Sequence, residues 1–356
     1  MRSFFVTLFM VRATYSKILI MKNVFTLLAL FLIGLLNAQQ ISIISENSQK
    51  PIPKVIIFGK NGNILTTTDI DGKFNREALE PKQDAYQLVY NNTIIADLSY
   101  QDISKEMVYV NEKTKDIDAV VIKGKPSKYV YLTGNFNTYV TINSKLNAYA
   151  DGIVTYVFDN KTKKYKSTKV EQYRVYIMEN ALENRKQVAT MVFDNILTVP
   201  KLKNLSRIDE LIAKKNLKFK EVLEASKDEM EFTGEIFQEK EFSFFGYRFF
   251  DIRSILNMSF EKAKERNIKS FLEYNEIAYL KLKHKSEPEY NQFITYSNFY
   301  PLEMSFHNDV AIDKVKFKRD NSQYTTKFWE QEGFPDMLPV FNQYFKGNMK
   351  EMPNQK

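Results

Sequence analysis

The sequence predicts a mainly β protein: an N-terminal β-sandwich, then a larger β-rich α+β domain with an antiparallel meander and two helices. Three observations predict it. The 356 residues include 28 Phe and 21 Tyr against 11 Gly and no Cys, a composition suited to sheets with large aromatic cores. Apolar residues alternate with period two over most of the chain, as in Ala278-Leu280-Leu282 and Leu302-Met304-Phe306. Turn residues such as Asn61-Gly62 and Asp71-Gly72 punctuate these runs at short intervals. At 44% hydrophobic and 26% charged, the composition excludes a largely disordered chain.

Residues 1–38 read as a signal peptide. Arg2, Arg12, Lys17 and Lys22 precede the uncharged apolar run Val24–Leu36, and Leu36-Asn37-Ala38 supplies a small-residue cleavage site before Gln39. The apolar run is shorter than the roughly 20 residues of an ordinary membrane span, and Met21 opens a compact signal by itself. Cleavage takes four positive charges from the formal +8 and leaves +4, which gives no argument for nucleic acid. The absence of Cys excludes disulfides and a lipid-modified N-terminal cysteine. The expected location is therefore the periplasm, the outer-membrane surface or outside the cell.

Residues 39–122 read as the sandwich. Val55 and Ile57, then Ile64 and Thr66, alternate like half-buried strands around the Asn61-Gly62-Asn63 turn. Asp71-Gly72 makes a second turn, and Phe74 is the apolar residue that the returning strand drops into the core. Pro51 and Pro53 lack ladder donors, so their segment sits at an edge or leads into a strand. Pro51-Ile52-Pro53, the turn at Gly62 and the run Thr68-Asp69-Ile70-Asp71-Gly72-Lys73-Phe74 resemble the carboxypeptidase regulatory-like domain. That is a small transthyretin-like β-sandwich common in secreted Bacteroidetes proteins and at the front of TonB-dependent receptors. Ile117–Ile122 resembles the apolar strand that often follows it, and the resemblance covers about residues 41–122. Lys54 departs from the pattern, which commonly has glycine there. The resemblance implies an appendage module with no peptidase activity and no zinc ligands.

The polar stretch Lys123–Lys128 reads as a linker. Residues 129–345 then form the larger domain. Strands are expected at Tyr129–Tyr131, Phe136–Ile142, Ile153–Phe158 and Lys169–Met178, the last two joined as a hairpin by a solvated lysine-rich tip, Asp159–Lys166. Ser206 and Asp209 fit a capping box before a helix striped with Ile208, Leu211 and Ile212. A second helix is expected at about Ile252–Arg266, after the aromatic cluster Phe242–Phe250, which reads as buried core or as the hinge between strand and helix. The meander from Ile277 to Glu330 is expected to break at Ser286-Glu287-Pro288, Asn298–Pro301, His307–Asp309 and Arg319–Ser322, with strands at Val315-Phe317 and Tyr324–Phe328. Its inner face packs on the helices or curls around a cavity. Residues 346–356 read as a flexible tail.

No catalytic, cofactor-binding or metal-binding residue is assigned. His284 and His307 lack a third ligand at a metal-binding spacing. No Gly-x-Ser-x-Gly occurs, and Ser259-Phe260-Glu261-Lys262 matches Ser-x-x-Lys without its companion motifs. Asp69 and Asp71 begin like a calcium loop, but Lys73 and Phe74 occupy its next positions, so a side-chain-capped turn fits better. Glu239 and Glu241 share one face of a strand with no pocket implied. The sequence thus points to an exported, non-enzymatic cell-envelope protein that binds a partner protein or polysaccharide through β-rich domains. The alternative is a periplasmic carrier with an aromatic-lined half-barrel cavity. No nucleic acid, cofactor or stable membrane span is expected.

Overall fold

The computed structural model describes residues 40–111, 120–179, 189, 196–223, 227–236, 240–310, 317–331, 334–335 and 337–355. The signal peptide expected at 1–38 lies outside them, as do Ile117–Ala119, Val315 and Glu239. Strands dominate the chain. The front of the chain forms two small sheets. One holds β1 (Gln40–Ser45), β4 (Lys73–Asn75) and β7 (Met107–Val110), in the order β4-β1-β7. The other holds β2 (Ile56–Phe58), β3 (Ile64–Thr67), β5 (Tyr86–Tyr90) and β6 (Thr93–Leu98), in the order β3-β2-β5-β6. Ile41, Ile43, Phe74, Val108 and Val110 from the first meet Ile57, Tyr86, Leu88 and Tyr90 from the second in one buried cluster. Alternation explains the pairing of faces, because every second residue of each strand points inward. A short helix, α1 (Tyr100–Ile103), is capped by the Ser99 hydroxyl, which accepts from the Asp102 N–H.

The anticipated turns form. Asn61 and Gly62 take φ of +62° and +73° between β2 and β3, and the Asp69 carboxylate accepts from the Asp71 and Lys73 N–H groups at 3.0 and 2.9 Å. Phe74 is buried. The position where glycine is common in the resembled module also explains itself, since Lys54 has φ of +59°, a conformation that an L side chain adopts only at a cost.

Among the described residues, the rest of the chain builds one 11-stranded sheet. Its strands are β8 (Val121–Lys123), β9 (Tyr129–Ile142), β10 (Lys145–Asp159), β11 (Tyr165–Met178), β12 (Leu217–Leu223), β13 (Lys227–Ile236), β14 (Phe242–Phe244), β15 (Tyr247–Glu261), β16 (Phe271–His284), β17 (Asn291–His307) and β18 (Met349–Glu351). The main path runs β12-β13-β15-β16-β17-β9-β10-β11-β18, with β14 on β15 and β8 on β17. The β10–β11 hairpin with its polar tip is as expected. One sheet face carries Leu132, Phe136, Tyr156, Met258, Phe260 and Phe299 into a large core, closed by Leu197, Leu202, Leu205, Ile208 and Leu211 of the connector between β11 and β12. That connector holds α2 (Ile208–Ile212). Its predicted capping box is absent: the Ser206 hydroxyl donates to the Lys203 carbonyl, and no side chain caps the helix.

Several expectations are corrected. The helix predicted at Ile252–Arg266 is strand β15. Leu256, Asn257, Met258, Ser259 and Phe260 are all buried because both sheet faces are covered, and such a strand shows no clean alternation. The expected break at Asn298–Pro301 is the middle of β17, where Pro301 sits at a bulge against β9. Tyr129–Tyr131 and Phe136–Ile142 are one strand, and Tyr324–Phe328 is turn leading into a 3-10 segment. Val121 and Ile122, expected to close the front module, and Lys123, expected in the linker, pair parallel with β17 of the large sheet. Residues 349–351, expected in a loose tail, pair with β11 as β18. Among the described residues no helix is long and apolar enough to cross a membrane.

Candidate functional site

The second face of the large sheet meets the sandwich, and there the register assembles a polar row from residues far apart in sequence. Lys220, Glu231, Asn257, Asn275, Asn298, Asn137, Asp151 and Arg174 are direct cross-strand neighbours on eight successive strands. The Asn275 amide donates to the Asn298 carbonyl at 2.9 Å, and the Asn298 amide donates to that of Asn137 at 2.7 Å. At the far end Arg174 grips Asp151 with two hydrogen bonds, 2.9 Å from Nε and 2.6 Å from Nη2. Two residues along each strand lies a second row, Ile255, Ile277, Tyr296, Tyr139, Tyr149 and Tyr176. Tyr296 and Tyr139 stack at 4.5 Å with planes 15° apart.

The sandwich is fastened over these rows. Phe58, Ile64 and Val89 pack with Tyr139, Tyr149, Ile277, Ile294 and Tyr296. Helix α3 (Pro339–Phe345) wedges Phe341 between the two parts: its ring lies 5.9 Å from Phe58 and 5.1 Å from Tyr139, edge-on to both. The Lys54 ammonium reaches from the sandwich to Glu229 and Glu273, 3.0 Å from each. Glu229 also pairs with Lys227 at 2.6 Å. Burial pulls the Lys54 pKa down, but the two carboxylates outweigh it and hold it well above the ordinary lysine value. Burial likewise raises Glu229, and Lys54 with Lys227 overcome this and bring it down to about 2. Glu231 behaves oppositely. It accepts from the Ile70 N–H at 3.1 Å, and burial, followed by the neighbouring Asp69 carboxylate, pushes it up to about 7. Asp71 and Lys220 add an exposed ion pair at the margin of the same contact.

A cavity of about 90 Å³ lies in this seam, lined by Lys54, Thr67, Asn91 and Asn92 of the sandwich and by the amide row, Glu273 and Tyr300 of the sheet. None of these residues was singled out as a site from the sequence, and only Lys54 stood out at all.

The side chains weighed from the sequence do not converge. Ser259 lies on β15, where its hydroxyl donates to Glu229 at 3.2 Å; without a helix, Lys262 is not one turn above it, and Lys262 is exposed. His284 ends β16 near the start of β17, with Nδ1 2.7 Å from the Ser286 hydroxyl. His307 ends β17, its ring tilted 56° to the Tyr131 ring with centroids 4.3 Å apart, so the length of β17, about 50 Å at strand spacing, separates the two. Among the described residues no group of three or more His, Asp or Glu is placed to hold a metal ion.

The aromatic cluster Phe242–Phe250 is not buried core. It forms the β14–β15 hairpin, where Phe242, Phe244 and Phe245 are 44%, 56% and 84% exposed. Phe245 and Gly246 take φ of +48° and +82° at the turn, which pushes the Phe245 ring outward past its neighbours. Arg248 and Glu241 form an ion pair beside them. No protein-family model matches the chain, and no curated protein matches it.

Proposed function

We propose that the chain is an exported, non-enzymatic cell-envelope protein that binds a partner protein. The exposed Phe244 and Phe245 rings at the hairpin tip carry this reading. Three phenyl rings on a two-strand hairpin, rimmed by charged side chains, have the composition of a binding hot spot rather than of an ordinary soluble surface. The hairpin stands on β15, which is paired on both sides by long strands, so the rings are presented on a rigid base and lose little freedom on docking. Export is supported by the N-terminal charge and apolar pattern, and an appendage role for the sandwich by its resemblance to carboxypeptidase regulatory-like domains. In this reading the sandwich and the large sheet form a frame, and chemistry is left to the partner.

The test is the double variant Phe244→Ser/Phe245→Ser expressed in the native host. Exposed substitutions of this kind shift stability by only about 0.5 kcal/mol, so the variant should melt like the parent yet lose its retention in the envelope fraction. Unchanged retention with unchanged melting would remove the hairpin from the binding surface.

A further inference from the structure

The seam cavity lies apart from the hairpin and is carried by different observations. Its volume of about 90 Å³ is several times the roughly 10–15 Å³ that one ordered water requires. It runs from the surface inward, since Asn91 at its rim is exposed while Asn137 and Asn257 are buried. Its floor is unusual for a covered sheet face. Four adjacent strands each present an asparagine, and buried amides destabilise unless every donor and acceptor is matched. They are not all matched: the Asn275 Oδ1 is buried with no hydrogen-bond partner, at the start of the chain that runs through Asn298 to Asn137. Packing alone gives no reason for this row, because the adjacent row of isoleucines and tyrosines closes the same seam without buried amides.

The chemistry of the lining selects a ligand class. Lys54 and Glu273 neutralise each other at 3.0 Å, so the cavity offers no net charge to an ion. The amides offer both donors and acceptors, which suits hydroxyl groups that are themselves both. The buried Tyr296 and Tyr139 rings line the cavity beside the amides and add apolar surface to it. We propose that the seam cavity is a binding site for a neutral polyhydroxylated ligand, a sugar unit held by the asparagine row beside the two tyrosines. The unit is supplied either as a free monosaccharide or as the end of a glycan.

The test titrates the full chain with D-glucose, N-acetyl-D-glucosamine and maltotetraose, with phosphate and acetate as charged comparators, by calorimetry and by NMR of the protein. At least one neutral probe should bind saturably and the charged comparators should not. Asn275→Ala should weaken that binding about tenfold, the factor one ordinary hydrogen bond carries. Asn91→Gly, at the exposed rim where φ is +44° and glycine fits without strain, should weaken it by less without changing the melt, and decides the matter if the Asn275 variant does not fold. Binding of glucose without maltotetraose assigns a free monosaccharide, and binding of both assigns a chain end. No binding of any neutral probe would mean that the cavity holds only water and would overturn the proposal. So would binding that both variants leave unchanged, or equal binding of phosphate or acetate. Phe244→Ser/Phe245→Ser should leave sugar binding intact, so the two functional readings stand or fall separately.

Discussion

Replacing Lys54 probes how the sandwich is fixed to the sheet, because two opposed effects meet at that residue. Its ammonium holds Glu229 and Glu273 at 3.0 Å each, and removing one partner of a buried ionic cluster costs about 3–5 kcal/mol. Glu229 keeps Lys227 at 2.6 Å, so the uncompensated charge falls mainly on Glu273 and the loss belongs at the low end, about 3 kcal/mol. Against this, Lys54 has φ of +59°, and a glycine would recover about 1–2 kcal/mol of backbone strain. Lys54→Met loses the ion pairs and keeps the strain, so it should be destabilised by about 3 kcal/mol. Lys54→Gly should be destabilised by only about 1–2 kcal/mol after the strain is relieved. Adding Glu273→Gln to Lys54→Met should restore part of the loss by neutralising the stranded carboxylate. Urea denaturation of the full chain, followed by circular dichroism, measures all of these on one scale. A Lys54→Gly protein as stable as the parent, or more so, would refute the reasoning, since it would mean that the buried ion pairs contribute nothing beyond the strain they impose.

Phe341→Ala removes the ring that touches Phe58, Tyr139, Tyr149 and Phe345 and should cost about 3–5 kcal/mol; a urea midpoint within error of the parent would show that α3 does not fasten the seam. Glu231 gives a pH dependence. Its folded pKa of about 7 lies above the ordinary value, so the contribution of its protonated form is complete below about pH 4.5 and is lost as pH rises through about 7, an effect of about 3 kcal/mol. The facing Asp69 is also raised, chiefly by burial, and acts in the same direction, while Lys220 opposes both. Glu231→Gln should flatten the fall in stability over that window, and an unchanged slope in that variant would place the titration elsewhere. Ser259→Ala, His284→Ala and His307→Ala should each leave the cellular role intact, and loss of activity toward a peptide, ester or glycan in any of them would overturn the binding reading.

What was legible in the sequence was local. Asn61-Gly62 and Asp69 to Gly72 announce turns through residues that tolerate positive φ or cap their own backbone, and Phe74 follows at the spacing of a returning strand. The ends of the long hairpin nearest its polar tip were legible too, as Ile153–Phe158 and Lys169–Met178, whereas the first half of β10, buried on both faces, was not. β15 was not, because sandwich and connector cover its two faces, and a strand buried on both sides resembles a short apolar helix segment. The sequence places Asn298 in a polar break, Asn298–Pro301; in the fold it is the middle of the amide row. That row could not be seen at all. Asn137, Asn257, Asn275 and Asn298 become neighbours only through strand register, which distant pairings set. The only sequence signal pointing to the seam was Lys54, standing where the resembled module commonly has glycine.

The central claim, that the chain works by binding through its exposed hairpin, is tested most directly by photo-crosslinking from position 245 in the native envelope. A photoreactive residue in place of Phe245 should give one discrete protein adduct that Phe244→Ser in the same chain abolishes, while the same residue in place of the exposed Tyr344 gives none. Absence of any adduct from position 245, with the chain folded and located as the parent is, would contradict the account.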